Sequence, residues 1–389
     1  MDNEKLKNFL SSIAMVIDDE IFDESSSILK IVEELEKRGT LFVKRNSLLD
    51  NIDSISNFSF IILDWDLKTE EEKLAISMGV SMGATLSDDK KVANRNFIKQ
   101  IITRYFIPIF IFSQENIGSI KAYLEADDDI KECINKGRIF LCDKSSLKDD
   151  QVITSLNNWL NDSMAVYTFK IMDESLETAK HRYFNEMNTC DLNWPCYVYQ
   201  NIKEDNPADI NSDFQEFLMT SFTSTVEPIS FNGEGFNKQV TLDSAEIIKI
   251  FSKIKFLSYR EEWDVGLHPG DLYVNTDGEK EEYFINVSAS CDMRKRKCYF
   301  VAGVEKSSPR KYDIICSYTV KHILNKKGIE FSLDNAQLLS ITDVNKIIVY
   351  INGEEKTYSR IGRLLNPYIS ALQNKFSSYI TRTGVCKEP

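Results

Sequence analysis

The residue types best suited to chemistry in this chain are acids, a hydroxyl and an ammonium group, and they recur directly after short apolar runs. Carboxylates that lie close together repel one another, and a hard divalent cation such as Mg²⁺ relieves that repulsion through oxygen ligands. A carboxylate can also attack phosphorus to give an acyl phosphate, while a metal ion, a hydroxyl and an ammonium neutralise the transferred oxygens. The pattern therefore predicts phosphoryl chemistry, with Asp64 as nucleophile, Asp18 and Asp19 as metal ligands, and Ser113 and Lys144 as phosphate clamps.

The elements that must position these side chains are predicted from the apolar runs. The runs alternate with helix-like segments such as 28–35, where apolar residues recur at helical spacing and stop before Gly39. Such alternation is typical of a parallel sheet covered on both faces. We therefore expect an α/β domain with a five-stranded, doubly wound parallel sheet whose carboxyl-end edge gathers the candidate residues. The runs are 13–17, 41–43, 58–63, 107–112 and 139–141, with an insertion at about 68–96 after the third.

Four short motifs follow the predicted strands of this region: Ile17-Asp18-Asp19-Glu20, Leu63-Asp64-Trp65-Asp66, Phe112-Ser113 and Asp143-Lys144. Together they resemble the signature of the receiver domain of two-component response regulators. The resemblance implies a flavodoxin-like strand order and Mg²⁺-dependent transfer of a phosphoryl group to Asp64 from a histidine kinase or a phosphotransfer protein. It also implies that the backbone carbonyl of Asp66 joins Asp18, Asp19 and Asp64 around the ion.

Two positions depart from the receiver pattern. Lys144 is followed by Ser145 where proline is usual, and Leu141 occupies the place of the aromatic switch residue, with Phe140 beside it. These departures are compatible with phosphoryl acceptance and argue against the usual output switch. A receiver scaffold that no longer accepts phosphate, and that serves only for interaction, is therefore a second hypothesis.

Beyond the sheet, the sequence predicts a helical connector and a second domain. Apolar spacing over 163–188 predicts a helix that Pro195 should break. Short apolar runs within 272–351 predict strands, so we expect an α+β, mostly β domain. An apolar stripe over 361–379 predicts a C-terminal helix whose Tyr and Phe side chains would also suit a homodimer surface. The predicted division is a receiver-like domain over 1–162, a connector over 163–200 and an output or interaction domain over 201–389.

A second group of chemically capable residues lies in this later part of the chain: His268, Asp271, Cys291 and Asp292. Cys291 could act as a nucleophile with His268 as its base, oriented by Asp271 or Asp292, which would make the protein an effector enzyme. The same residues are more typical of a tight turn and of a packed cysteine. The basic run 294–297 could contact nucleic acid or phosphates, although such a run is more often a solvated hairpin. Cleavage of nucleic acid by the second domain is a further form of the effector-enzyme alternative.

A second, weaker resemblance concerns the biological setting. The Gly-Asp motif at 270–271, the Cys-Asp motif at 291–292 and the stretch 360–368 resemble proteins that carry a divergent response receiver domain in prokaryotic conflict systems. That resemblance implies a bacterial anti-phage phosphorelay of the Detocs type.

Composition excludes several other classes of function. With 47 Lys and Arg against 60 Asp and Glu in 389 residues, the net charge of −13 disfavours nucleic acid and anionic membranes as partners. No apolar stretch approaches a membrane span, and residues 1–5 lack the pattern of a secretory leader, so we expect a cytoplasmic protein. The eight cysteines contain no CxxC pair, which predicts reduced thiols and no structural metal cluster.

Overall fold

Five short parallel strands form the sheet that the apolar runs predict. In the computed structural model the strands are β1 (Ile13–Ile17), β2 (Leu41–Arg45), β3 (Ile61–Asp64), β4 (Ile109–Ser113) and β5 (Ile139–Asp143). Their order in the sheet is β2-β1-β3-β4-β5, which is the flavodoxin-like order. The predicted α/β class and doubly wound sheet are thus confirmed.

The structure describes residues 6, 9–69, 72–74, 78, 84–144, 150–205, 210–231, 234–259, 266–278, 281–306, 320–321 and 328–381. Contacts divide the chain into two compact units. The N-terminal unit comprises 1–187 and 222–239, and the C-terminal unit comprises 188–221 and 240–389. Within the described parts of the chain, no helix combines the length and the apolar character needed to cross a bilayer.

The strands β1, β3 and β4 are largely buried on both faces of the parallel sheet, which explains why they read as apolar runs. The edge strand β2 alternates between exposed and half-buried residues. Successive side chains point to opposite faces, so Val16 and Ile62 enter one core while Ile17 and Leu63 enter the other. Phe110 packs edge-on against Trp159 with the ring centroids 4.8 Å apart. The covering helices are α1 (Ser27–Glu36), α2 (Ala84–Arg104), α3 (Ile117–Leu124), α4 (Asp128–Asn135) and α5 (Asp150–Asp162).

Two of these helices show how the sequence sets their limits. The hydroxyl of Ser26 accepts the amide N–H of Leu29 and caps α1, whose residues Ile28 and Leu35 are buried. The structure differs from the sequence analysis at α2, because residues 84–96, assigned above to an insertion, are the first part of this covering helix. Polar and apolar residues are mixed along that segment, so its helical period is not visible in the sequence.

Helices follow the sheet as the sequence predicts, but Pro195 is not what ends the first of them. The long helix α6 (Met164–Met187) ends well before Pro195, and Pro195 stands in the first turn of α7 (Trp194–Glu204), where its missing N–H costs nothing. α8 (Ile210–Ser224) is a helix that the sequence pattern does not predict. α9 (Ser244–Lys255) leads into the strands of the C-terminal unit.

The C-terminal unit is built on an antiparallel eight-stranded sheet. Its order is β10-β11-β9-β8-β7-β13-β12, and β6 pairs with β13. Apolar cores on both faces include Tyr283 and Ile285 on one side and Phe284 and Tyr358 on the other. The elements are β6 (Phe256–Ser258), β7 (Asp271–Asn275), β8 (Glu282–Asn286), β9 (Lys297–Lys306), β10 (Val320–Lys321), β11 (Gly328–Ser340), β12 (Lys346–Ile351), β13 (Glu354–Leu364) and α10 (Tyr368–Ile380).

The predicted C-terminal helix begins later than its apolar stripe. Ile361 and Leu364 belong to β13, which pairs with β7 and β6, and α10 starts only at Tyr368. The prediction was wrong for 361–365 because apolar residues three or four positions apart can also face a core from a strand and the turn that follows it.

Candidate functional site

Three carboxylates meet at the carboxyl-end edge of the parallel sheet. Asp18 and Asp19 follow β1, and Asp64 is the last residue of β3, the neighbour of β1 in the sheet. Each offers an oxygen atom that lies within 4.8 Å of the others, and the residues are only 0%, 6% and 7% exposed. Parallel strands end at the same edge, so this convergence is the one that the sequence predicts.

Lys144 joins two of these carboxylates. Its Nζ lies 2.5 Å from Asp18 Oδ2 and 3.2 Å from Asp64 Oδ2, and its side chain is buried just beyond β5. Burial alone would lower the pKa of the Lys144 ammonium, but the charges of Asp64 and Asp18 outweigh burial and raise that pKa. Lys144 is therefore held as a cation beside Asp18 and Asp64.

Burial is also the largest influence on two of the acids, Asp64 and Asp19. It raises the pKa of Asp64 to about 6, with the Lys144 ammonium opposing the shift and Asp18 adding to it. It likewise raises the pKa of Asp19, against the opposing charge of Lys73. These two carboxylates are thus held in a less favourable environment than water, which is the condition that favours a metal ion.

The carboxylate oxygens of this cluster could serve as ligands for a cation. Asp18 Oδ1 accepts the backbone N–H of Glu20 at 2.9 Å. Asp19 Oδ2 is buried and accepts no hydrogen bond among the described residues, which is costly for a carboxylate oxygen. Three buried carboxylates with such an orphaned acceptor fit a hard divalent ion that takes oxygen ligands.

Ser113 and Asp66, the other residues predicted for this site, lie on the same edge. Ser113 ends β4, is buried, and accepts the backbone N–H of Glu115 through its Oγ at 3.0 Å. Asp66 is half-buried and its carboxylate lies 3.7 Å from the Lys68 ammonium. The proposed metal ligand is the backbone carbonyl of Asp66, and that role stays a prediction.

Two residues that the sequence motifs do not contain, Lys73 and Asn94, lie at or beside this site. Lys73 Nζ lies 3.6 Å from Asp19 Oδ2 and donates to the backbone carbonyl of Asp19 at 2.7 Å. The buried side chain of Asn94 donates from Nδ2 to the carbonyl of Trp65 at 2.6 Å, next to the phosphoacceptor candidate Asp64. The Thr69-x-x-Glu72 spacing is that of a helix-capping box, so the sequence could predict the turn that carries Lys73 but not the contact of Lys73 with Asp19.

The second predicted group lies in the C-terminal unit. Asp271 is buried, and its carboxylate accepts from Arg360 Nη2 at 2.6 Å, Arg363 Nε at 3.0 Å and the backbone N–H of His268 at 2.7 Å. Burial raises the pKa of Asp271, and the two arginines oppose that shift. These contacts make Asp271 part of a buried ion cluster.

His268 lines a cavity of about 1080 Å³ in the same unit, together with Ser290 and Arg363. Cys291 lies in the 3₁₀ helix Ser290–Lys295, but its side chain falls outside the described residues. Asp292, in the same helix, is half-buried. A catalytic pairing of His268 with Cys291 therefore stays a prediction.

Comparisons of the chain with protein-family models, with curated proteins and with solved structures find no match. The five-stranded sheet and its buried acidic cluster are compatible with a receiver fold. The functional assignment therefore depends on the geometry of the site.

Proposed function

We propose that the N-terminal unit is a phosphoacceptor module that takes a phosphoryl group on Asp64 with the help of Mg²⁺. The observation that carries the proposal is the Lys144 ammonium, which contacts Asp18 and Asp64 inside a buried cluster of three carboxylates. A structural ion pair needs one acid for one base. An excess of buried acid at the carboxyl-end edge is what a metal-assisted phosphoryl acceptor needs.

Different residues of this chain have different roles in the proposed transfer. A carboxylate oxygen of Asp64 forms the new bond to phosphorus, the phosphorus–nitrogen bond of a donor phosphohistidine breaks, and its electron pair returns to the imidazole nitrogen. Since the pKa of Asp64 is about 6, most of this group is the nucleophilic carboxylate at neutral pH. When bound by Asp18, Asp19 and Asp64, Mg²⁺ supplies positive charge for the transferred oxygens.

Lys144 and Ser113 act on the same oxygens. The Lys144 ammonium already lies within hydrogen-bond distance of Asp64, so it stands where negative charge accumulates during the transfer. Ser113 ends the strand next to β3 and offers a buried hydroxyl at the same edge. Loss of either group should slow the transfer without removing the acceptor atom.

The test is incubation of the full chain with acetyl phosphate and Mg²⁺, followed by intact-mass measurement. We expect one added phosphoryl group in the wild type and none in Asp64→Asn or after chelation of the metal. Asp53→Asn is the matched control, because Asp53 is an exposed acid of the same unit, paired with Arg104. If the wild type gains no adduct and binds no beryllofluoride, the phosphoacceptor proposal is wrong and the silent interaction scaffold takes its place.

The finer proposal concerns partners and setting. We propose that a histidine kinase or phosphotransfer protein supplies the phosphoryl group, in a bacterial defence phosphorelay. The support is the resemblance of the acidic, Ser113 and Lys144 motifs to receivers, together with the geometry of the cluster. An effector enzyme in the C-terminal unit is the rival: Cys291→Ala would then abolish the biological output, whereas Asp64→Asn would leave it intact.

A further inference from the structure

The acidic cluster contains a second ammonium group besides Lys144. Lys73 Nζ lies 3.6 Å from Asp19 Oδ2 and donates to the Asp19 carbonyl, while Lys144 occupies the Asp18 and Asp64 side of the cluster. Asp19 Oδ2 is the buried carboxylate oxygen that accepts no hydrogen bond among the described residues. Lys73 thus faces the atom of the cluster that most lacks a partner.

Lys73 is held in place by local hydrogen bonds. Thr69 and Glu72 form a reciprocal capping box: the Thr69 N–H donates to Glu72 Oε2 at 2.7 Å, and the Glu72 N–H donates to Thr69 Oγ1 at 3.3 Å. The backbone N–H of Lys73 continues this turn by donating to the Thr69 carbonyl at 3.0 Å. Glu72 is in turn ion-paired with Lys90 of α2. These bonds order the turn that carries Lys73 and so hold its backbone in place.

We propose that Lys73 is a resident cation of the phosphoacceptor site, which neutralises Asp19 and competes with the divalent ion for its carboxylate. This inference rests on the proposed function, because it assumes that Asp19 binds a divalent ion. The segment after β3 would then set the metal affinity of the site. Lys73 is a positioning residue in this proposal, since it acts on the metal ligand Asp19.

Charge arithmetic gives the direction of the effect. The three carboxylates and two ammonium groups carry a net charge of −1, and a bound divalent ion raises this net charge to +1. Without Lys73 the same ion brings the net charge to zero, so the ion meets less electrostatic repulsion when it binds. Lys73 is about one-third exposed, and solvent screening limits such a contribution. We therefore expect Lys73→Gln to lower the Kd for Mg²⁺ by about 3- to 10-fold.

The experiment is calorimetric titration of the full chain with Mg²⁺, and with Mn²⁺ as a second probe. Lys73→Gln should bind both ions more tightly than the wild type, and Lys73→Arg, which keeps the charge, should stay close to the wild type. Lys121→Gln is the matched control, because Lys121 is an exposed lysine of the same unit paired with Glu125 on α3. Thermal unfolding in the presence of a chelator confirms that each variant is folded.

The outcomes separate the two proposals. If the wild type binds Mg²⁺ and takes up phosphate but Lys73→Gln binds the ion equally or more weakly, the role of Lys73 is wrong and the proposed function stands. If the wild type binds neither ion, the Mg²⁺-dependent function is overturned together with the role of Lys73. Tighter binding by Lys73→Gln and by Lys73→Arg alike would also contradict the proposal, because the effect would not follow the charge.

Discussion

The role proposed for Asp64 and the position of this residue in the fold make conflicting demands at the scale of a single residue. A phosphoryl acceptor must be an ionised carboxylate, whereas a residue that ends a buried strand is poorly hydrated. Burial raises the pKa of Asp64 from 3.8 to about 6, and Lys144 limits that rise. The fold therefore holds this carboxylate in a state that costs folding free energy at neutral pH.

This cost predicts that Asp64→Asn stabilises the protein at high pH. The folded-state pKa of Asp64 lies above the unfolded value, so its contribution to stability is present below pH 3.8 and is lost as the pH rises through about 6. Asparagine resembles the protonated acid and escapes this loss. We expect Asp64→Asn to raise the free energy of unfolding by about 2–3 kcal/mol at pH 8 and to change it little at pH 4.

Urea denaturation with a chelator present measures both values. The control is Asp53→Asn, since Asp53 is exposed and its replacement should change stability by less than about 0.5 kcal/mol at either pH. An Asp64→Asn variant that is no more stable than the wild type at pH 8 would show that the carboxylate is not strained by burial.

At the scale of elements, the ends of strands position the candidate side chains, and turns hold the strands in their places in the sheet. The turn before β7 is an example from the C-terminal unit. Gly270 has φ +86°, its N–H donates to the Asn286 carbonyl at 2.7 Å, and its carbonyl accepts from the Leu364 N–H at 2.9 Å. Gly270 directly precedes β7 and is hydrogen-bonded to the ends of β8 and β13, so its movement is restricted from both sides.

Two glycines with the same backbone angle should respond differently to alanine. A Cβ at Gly270 would lie 2.3 Å from the Leu364 carbonyl oxygen, whereas a Cβ at Gly353, with φ +85°, would meet nothing within 4 Å. Gly353 lies in the tight turn between β12 and β13. We expect Gly353→Ala to cost about 1–2 kcal/mol of unfolding free energy, from the left-handed backbone alone.

Gly270→Ala should cost more than about 3 kcal/mol, because a backbone clash adds to the same conformational cost. Thermal and urea unfolding of the two variants give the comparison directly. Equal losses in the two variants would mean that the Gly270 turn can relax and that close approach to Leu364 is unimportant.

At the scale of the whole molecule, each unit has its own core and its own buried charges. The C-terminal unit holds Asp271 and Arg360, whose side chains are both 0% exposed. Removing one member of such a pair leaves a buried charge without that partner, which typically costs about 3–5 kcal/mol. By contrast, every residue assigned to phosphoryl transfer lies within 1–187.

Asp271→Asn should therefore destabilise the C-terminal unit and leave phosphoryl uptake on Asp64 unchanged. Calorimetry should show an unfolding transition at lower temperature, and intact mass after acetyl phosphate treatment should match the wild type. Glu246→Gln, which removes an exposed ion pair with Lys249, should change neither measurement. Loss of phosphoryl uptake by Asp271→Asn at a temperature where the protein is folded would contradict this separation of roles.

The sequence by itself determined the parallel sheet and the acidic site, and its resemblance to receiver domains implied the strand order that the structure has. Strands buried on both faces are unbroken apolar runs, and parallel strands end at one edge, so residues such as Asp19 and Asp64 could be placed together although they are far apart in the chain. The positions of the three clustered carboxylates and of Lys144 therefore follow from local pattern and from one rule of topology.

Only the tertiary structure decided the contacts between residues that are distant in the sequence, because no local periodicity of the sequence predicts them. Lys73 meets Asp19 because a capped turn directs it there, and Asp271 meets Arg360 across 89 positions of sequence. Residues 361–364 are a strand because β7 and β6 supply the hydrogen bonds, although their spacing suits a helix equally well. Such contacts depend on which distant partner is within reach, and that is fixed only when the chain has folded.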